Sequence, residues 1–183
     1  LNKLDESKKS IEKAININPN YSEAYINLGL VNQRLENTNS AFRYFIKAIK
    51  IDPESAKNYI LFTEFLKNSN ISVLEKDKLK EILNILFKCK NINHTDLFKA
   101  FRSLYVDDLP FNFFDNKHIK YNNLKKIIED KLIIEAMKKI VLKDKQWEKI
   151  ISSIRNYFCT QIVEKELLIN EFEIDFLYAI CHQ

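Results

Sequence analysis

The chain has 183 residues and a formal net charge of +4, with 30% charged and 46% hydrophobic residues, one glycine, three prolines and three cysteines. A single glycine excludes phosphate-cradling loops, which need several glycines close together for tight turns and close backbone approach. It also weighs against an all-β sandwich or barrel, whose hairpins draw on Gly and Asp-Gly turns, so an all-α chain is expected, with no cofactor implied.

The first thirteen residues, Leu1 to Lys13, are charged throughout and lack the apolar core of a signal peptide. Nowhere does an apolar run approach the ~18–20 residues of a membrane span, so a cytoplasmic chain is expected. The first residue is not Met, and Asp175 to Gln183 reads as a helix still running, as in a piece of a longer protein. Cys89, Cys159 and Cys181 are an odd number without a secretion signal, which predicts reduced, mostly buried thiols rather than disulfides.

Shifting the sequence against itself by 34 positions places Lys13, Ala14, Ile15, Ile17 and Pro19 on Lys47, Ala48, Ile49, Ile51 and Pro53. Tyr25 and Ile26 fall on Tyr59 and Ile60. Residues 1–19 then read as the second helix of a repeat, with Ser7, Ile11 and Ala14 in packing positions. Residues 22–55 form a full repeat. Tyr25, Leu28, Phe45 and Ile49 supply its apolar stripes, and Gly29 and Ala41 are small where two antiparallel helices approach. A polar turn is expected near Glu36 to Asn39, and Pro53 ends the second helix, holding Asp52 out of the α region.

Residues 56–106 read as a degenerate, closing repeat. Tyr59, Phe62 and Leu66 keep register; the partner helix is shifted to roughly 73–88 with Leu79, Ile82, Leu83 and Leu86 inward. Thr95 or Asn93 can cap a helix carrying Leu97, Phe98, Phe101, Leu104 and Tyr105. Val106 to Asn116, with Leu109-Pro110-Phe111 extended and Phe113-Phe114 apolar, is an interruption and a boundary. Residues 117–183 are expected to form a helical bundle: helices over 123–142 with a break at Asp130, over 145–164, and over 170–183. Trp147, Ile150, Ile151, Ile154, Phe158 and Ile162 form the stripe of the middle one.

The spacing Tyr25-x2-Leu28-Gly29, then Ala41-x3-Phe45, then Ala48 and Pro53 resembles the tetratricopeptide repeat, with Asn32 standing where that family has an aromatic. The resemblance implies a solenoid of helix-turn-helix units that binds a protein or peptide. The runs from Asn91 to Phe98, around Trp147-Glu148 and Ile154-Arg155, and from Phe176 to Gln183 resemble the N-terminal region of bacterial proteins in which such repeats precede a class I S-adenosylmethionine-dependent methyltransferase domain. That domain would lie past residue 183, so none of its catalytic residues falls on this chain.

Within the chain no catalytic constellation is specified. Cys89-x4-His94 and Cys181-His182 lack the second half of a zinc site, so no metal is expected, and Cys159 and Cys181 are read as inert thiols on apolar faces. Asp107-Asp108 reads as a solvated loop. Residues 117–149 hold ten Lys against five acidic residues, with Tyr121 nearby, but lysines at helical spacing are an ordinary solvent face, and nucleic acid is disfavoured.

The better candidate is the concave face, lined by the first helix of each repeat. Its side chains are Glu23, Ile26, Leu30, Gln33 and Arg34, then Lys57, Ile60, Glu64, Lys67 and Asn68. Mixed apolar and charged residues suit a peptide, with Arg34 or Lys67 holding a carboxylate. The family's two-lysine, two-asparagine carboxylate clamp is not reproduced, because Ile26 and Leu30 stand where polar residues would be needed. Three readings follow: a non-catalytic interaction module, the recruiting region of a methyltransferase, and a scaffold that self-associates through Ile11, Ile15 and Ile17.

Overall fold

The computed structural model describes residues 2–105, 121–140, 144–165 and 171–181. All regular structure among them is helical. The chain divides into two compact units, Leu1–Ser103 and Leu104–Gln183.

In the first unit, α1 (Asn2–Ile17), α2 (Ser22–Arg34), α3 (Thr38–Ile51), α4 (Ala56–Asn68) and α5 (Lys76–Leu86) follow one another through short connections, and α6 (Phe98–Tyr105) spans the division. Three residues join α2 to α3, short enough to force the pair antiparallel. Glu36 makes that turn in the left-handed region at φ 60°, and Asn37 N–H donates back to the Asn32 carbonyl at 2.9 Å. Asp52 leaves α3 with φ −132° and ψ 83°, as a residue before proline must.

Tyr25, Leu28, Gly29, Ala41, Phe45, Ala48 and Ile49 are all buried, so the tetratricopeptide-like solenoid expected from the spacing is the fold observed. A Cβ on Gly29 would lie 3.0 Å from Phe45 Cε2, which explains why glycine stands there. Phe45 stacks on Phe62 of α4 with centroids 5.4 Å apart and 4° between planes; Phe42 and Phe65 complete a four-ring cluster between α3 and α4. Each such pair adds about 0.5–1.5 kcal/mol beyond burial of its area. Asn32, where an aromatic was expected, is buried and donates its Nδ2 to the Leu28 carbonyl at 2.7 Å.

Three details depart from the sequence reading. Ser7 on α1 is exposed rather than packed, while Ile11 and Ala14 are half-buried. The helix expected over 73–88 begins later, because Asn70 accepts from Ser72 N–H and winds Ile71–Val73 into a 3-10 turn before Leu74 is buried in extended backbone. Its inward residues, Leu79, Ile82, Leu83 and Leu86, are buried as expected. Asn93 rather than Thr95 caps the next turn, His94–Leu97, by accepting from Thr95 N–H.

The second unit contains α7 (Tyr121–Ile128), α8 (Lys131–Met137), α9 (Lys145–Lys165) and α10 (Glu171–Cys181). The break expected at Asp130 is there: its carboxylate accepts from Leu132 N–H at 2.9 Å as the cap of α8, and from the Tyr105 hydroxyl at 3.0 Å. Trp147, Ile150, Ile151, Ile154 and Phe158 are buried along α9. Arg155 donates to the Ile180 carbonyl, tying α9 to the end of α10. The interruption at 106–116, Asp107-Asp108 and the side chain of Ile162 lie outside the described residues.

The thiols differ from expectation. Cys159 and Cys181 are exposed and Cys89 is half-buried, with Sγ 3.4 Å from the Ile85 carbonyl. The apolar sides of α9 and α10 are set by Trp147 and Phe176, and neither cysteine falls on them.

Candidate peptide-binding face

The first helix of each repeat presents one stripe outward. On α4 this stripe is Lys57, Ile60, Glu64, Lys67 and Asn68, all exposed at the three- and four-residue spacing of one helix face. On α2 it is Glu23, Asn27, Leu30, Gln33 and Arg34, of which Leu30 and Gln33 are half-buried. Ile26 does not belong to it. At 2% exposure it is core, because α2 has neighbours in α1, α3 and α4 and hides more of its circumference than a two-helix unit would.

Cross-links at offsets of 34 and 36 residues hold the stripes side by side. Lys57 Nζ meets Glu23 Oε1 at 2.9 Å, one repeat apart. At the same end, Asn58 Nδ2 donates to Ser22 Oγ at 2.8 Å, and Ser22 in turn donates to the Ala48 carbonyl at 3.1 Å. At the far end Gln33 Nε2 reaches Ser69 Oγ at 3.4 Å. Ser22 and Asn58 were missed by the sequence reading; a buried Asn at the start of a helix otherwise apolar on its inner side is the signal that could have found them.

Lys67, expected to hold a ligand carboxylate, is instead held by Asp96 at 2.9 Å, and Lys99 Nζ donates to the carbonyls of Ser69, at 2.7 Å, and Lys67. The hydrogen bond and charge of Lys57 hold the Glu23 carboxyl below the ordinary glutamate range, and those of Asp96 raise the Lys67 ammonium above the ordinary lysine range. Beyond Gln33 the face opens into a cleft of about 830 Å³ lined by Arg34, Asn37, Asn39, Asn68 and Asn70 among others. Ile60, 48% exposed, lies between the cross-linked ends.

Elsewhere the candidates stay apart. His94 is half-buried and stacked on Phe87 at 6.1 Å, and among the described residues no three His, Cys, Asp or Glu side chains gather as a metal site. In the basic segment, Lys125 pairs with Glu129 and Lys138 with Glu135, each at 3.8 Å on its own helix. Among the described residues no helix is long and apolar enough to cross a membrane. Ile17 at the end of α1 is 86% exposed, while Ile11 and Ile15 are half-buried.

Residues 1–21 and 22–55 match the tetratricopeptide repeat family. A DnaJ homolog subfamily C member 7 homolog of Dictyostelium discoideum is 31% identical over 110 residues, a match covering 60% of this chain and 20% of the relative. The chain thus spans a fifth of that protein's length. No solved structure matches the chain. The family match and the helical pairs agree on tetratricopeptide repeats over residues 1–55, and such repeats are protein-interaction modules.

Proposed function

We propose that the α2–α4 face binds a segment of a protein partner without chemistry of its own. Ile60 carries this reading: an isoleucine about half exposed at the middle of a face whose ends are fixed by polar cross-links is apolar area kept available on a rigid platform. The tetratricopeptide match over residues 1–55 supports an interaction role. A photo-crosslinking residue in place of Ile60 tests it. Adducts should form from that position in cells and not from Arg43, exposed on α3. Equal labelling from both would defeat the assignment.

Self-association through α1 is a second reading, favoured by Ile17 at 86% exposure. Sedimentation over a hundredfold concentration range decides it, and a constant monomer mass dismisses it. The methyltransferase reading has no observation here in its favour: the similarity found is to repeats and to a DnaJ homolog of a eukaryote.

A further inference from the structure

The register between α2 and α4 separates charges that are spent from charges that are open. Glu23 and Lys57 neutralise each other, as do Lys67 and Asp96, and Lys99 is occupied by carbonyls at the end of α4. Arg34 on α2 and Glu64 on α4 are both exposed and have no ion pair among the described residues, though the Glu64 charge adds to that of Asp96 in raising Lys67. The contacts at both ends keep the helices level at an offset of 34 to 36 residues. Leu30 therefore stands beside Glu64, and Arg34 beside Asn68 at the mouth of the polar cleft. With a rise of 1.5 Å per residue, Glu64 is about 6 Å along the face from Ile60, and Arg34 about 12 Å.

Resting on the reading that this face binds a peptide, we infer that its ligand is a segment without net charge. It presents an aliphatic side chain to Ile60 and Leu30, a base about 6 Å along to Glu64, and an acid about 6 Å further to Arg34. A second acid on the ligand is selected against: Arg34 takes one, and to hold another Lys57 or Lys67 would have to leave its own carboxylate, so that Glu23 or Asp96 would face the added negative charge. Opposed charges on the ligand also make its binding only weakly dependent on salt, since the long-range attraction and repulsion cancel.

Selection from a phage-displayed library of dodecapeptides on the 183-residue chain, on Arg34→Glu and on Glu64→Lys, tests this. Both positions are exposed, and circular dichroism verifies that the variants fold. The expected result is an aliphatic, a base and an acid in fixed spacing. Arg34→Glu should exchange the acid for a base, and Glu64→Lys the base for an acid, each altering affinity for a defined peptide about fivefold, as for an exposed pair. Unchanged charge preferences on the reversed variants overturn the inference while leaving a peptide site intact. Recovery of no binding peptide refutes the peptide-binding reading itself.

Discussion

Replacing Gly29 with Ala measures how tightly α2 and α3 are held together. In an open helix interior Ala is favoured over Gly by about 0.8–1.0 kcal/mol, so without a neighbour the change would stabilise. Here the new Cβ lands 3.0 Å from Phe45 Cε2 and 3.1 Å from Cδ2, inside the ~3.5–4.0 Å of optimal carbon contact. The ring has little room to retreat, being fully buried, stacked on Phe62 and 4.9 Å from Phe65. Overpacking of this kind costs about 1–3 kcal/mol, so the clash exceeds the propensity gain and leaves a net loss of about 1 kcal/mol. That is a fall of about 4–8 °C in Tm for a unit of about 100 residues. Urea unfolding followed by circular dichroism gives the size, and hydrogen exchange of the α2 and α3 amides gives the place. In a Phe45→Leu background the colliding ring edge is gone, and Gly29→Ala should stabilise. The double-mutant cycle then carries a coupling of about 2 kcal/mol. Stabilisation by Gly29→Ala in the natural background would show that the helices separate freely and that the close approach is not what requires glycine.

Asn32→Leu should stabilise by about 1 kcal/mol in the same urea assay: it buries an apolar side chain, and the Leu28 carbonyl that loses Nδ2 keeps its intrahelical N–H. The Glu23 carboxyl, followed by carbon NMR, should titrate below the ordinary glutamate range and return to it in Lys57→Gln. Because its folded pKa is depressed, the pair's contribution is present above that ordinary range and lost as the pH falls through the lowered value. Asp130→Ala removes the cap of α8 and the acceptor of Tyr105, and should cost about 1–2 kcal/mol. Trp147, whose ring meets Tyr105 edge-on at 6.0 Å, reports it by fluorescence, and an unmoved transition would deny the cap its role. A disulfide reagent should modify Cys159 and Cys181 promptly in the folded chain and Cys89 more slowly.

The sequence discloses the repeat because its constraints are local and periodic. Tyr25, Leu28 and Phe45 stand at helical spacing, and Pro19 and Pro53 follow the second helices α1 and α3, whatever surrounds them. Ile26 escaped for a physical reason: one helical wheel assigns a residue a direction but not the number of neighbours there, and α2 is enclosed by three helices. Lys67 escaped differently. Its partner Asp96 lies in a 3-10 turn of the irregular closing segment, at no repeat offset, so nothing in a 34-residue pattern announces the pair. The placement of Cys159 and Cys181 depended on which residues of α9 and α10 face inward, and the large side chains, Trp147 and Phe176, decide that ahead of small thiols.

Apart from Ile60, which repeats Ile26, the charged pattern of the face stands where the two repeats differ. Positions shared at an offset of 34, such as Tyr25 with Tyr59, are held alike because each must pack within its own unit. At the outward positions the register brings unlike residues level: Glu23 with Lys57, Leu30 with Glu64, Arg34 with Asn68. The first of these is opposite in sign and closes on itself at 2.9 Å across the neighbouring helices, so each charge already has a partner. The other two leave one acid and one base on the face. A repeat scaffold thus uses a single rule of register both to cross-link its helices and to display a charge pattern, and a sign change at one outward position converts one use into the other.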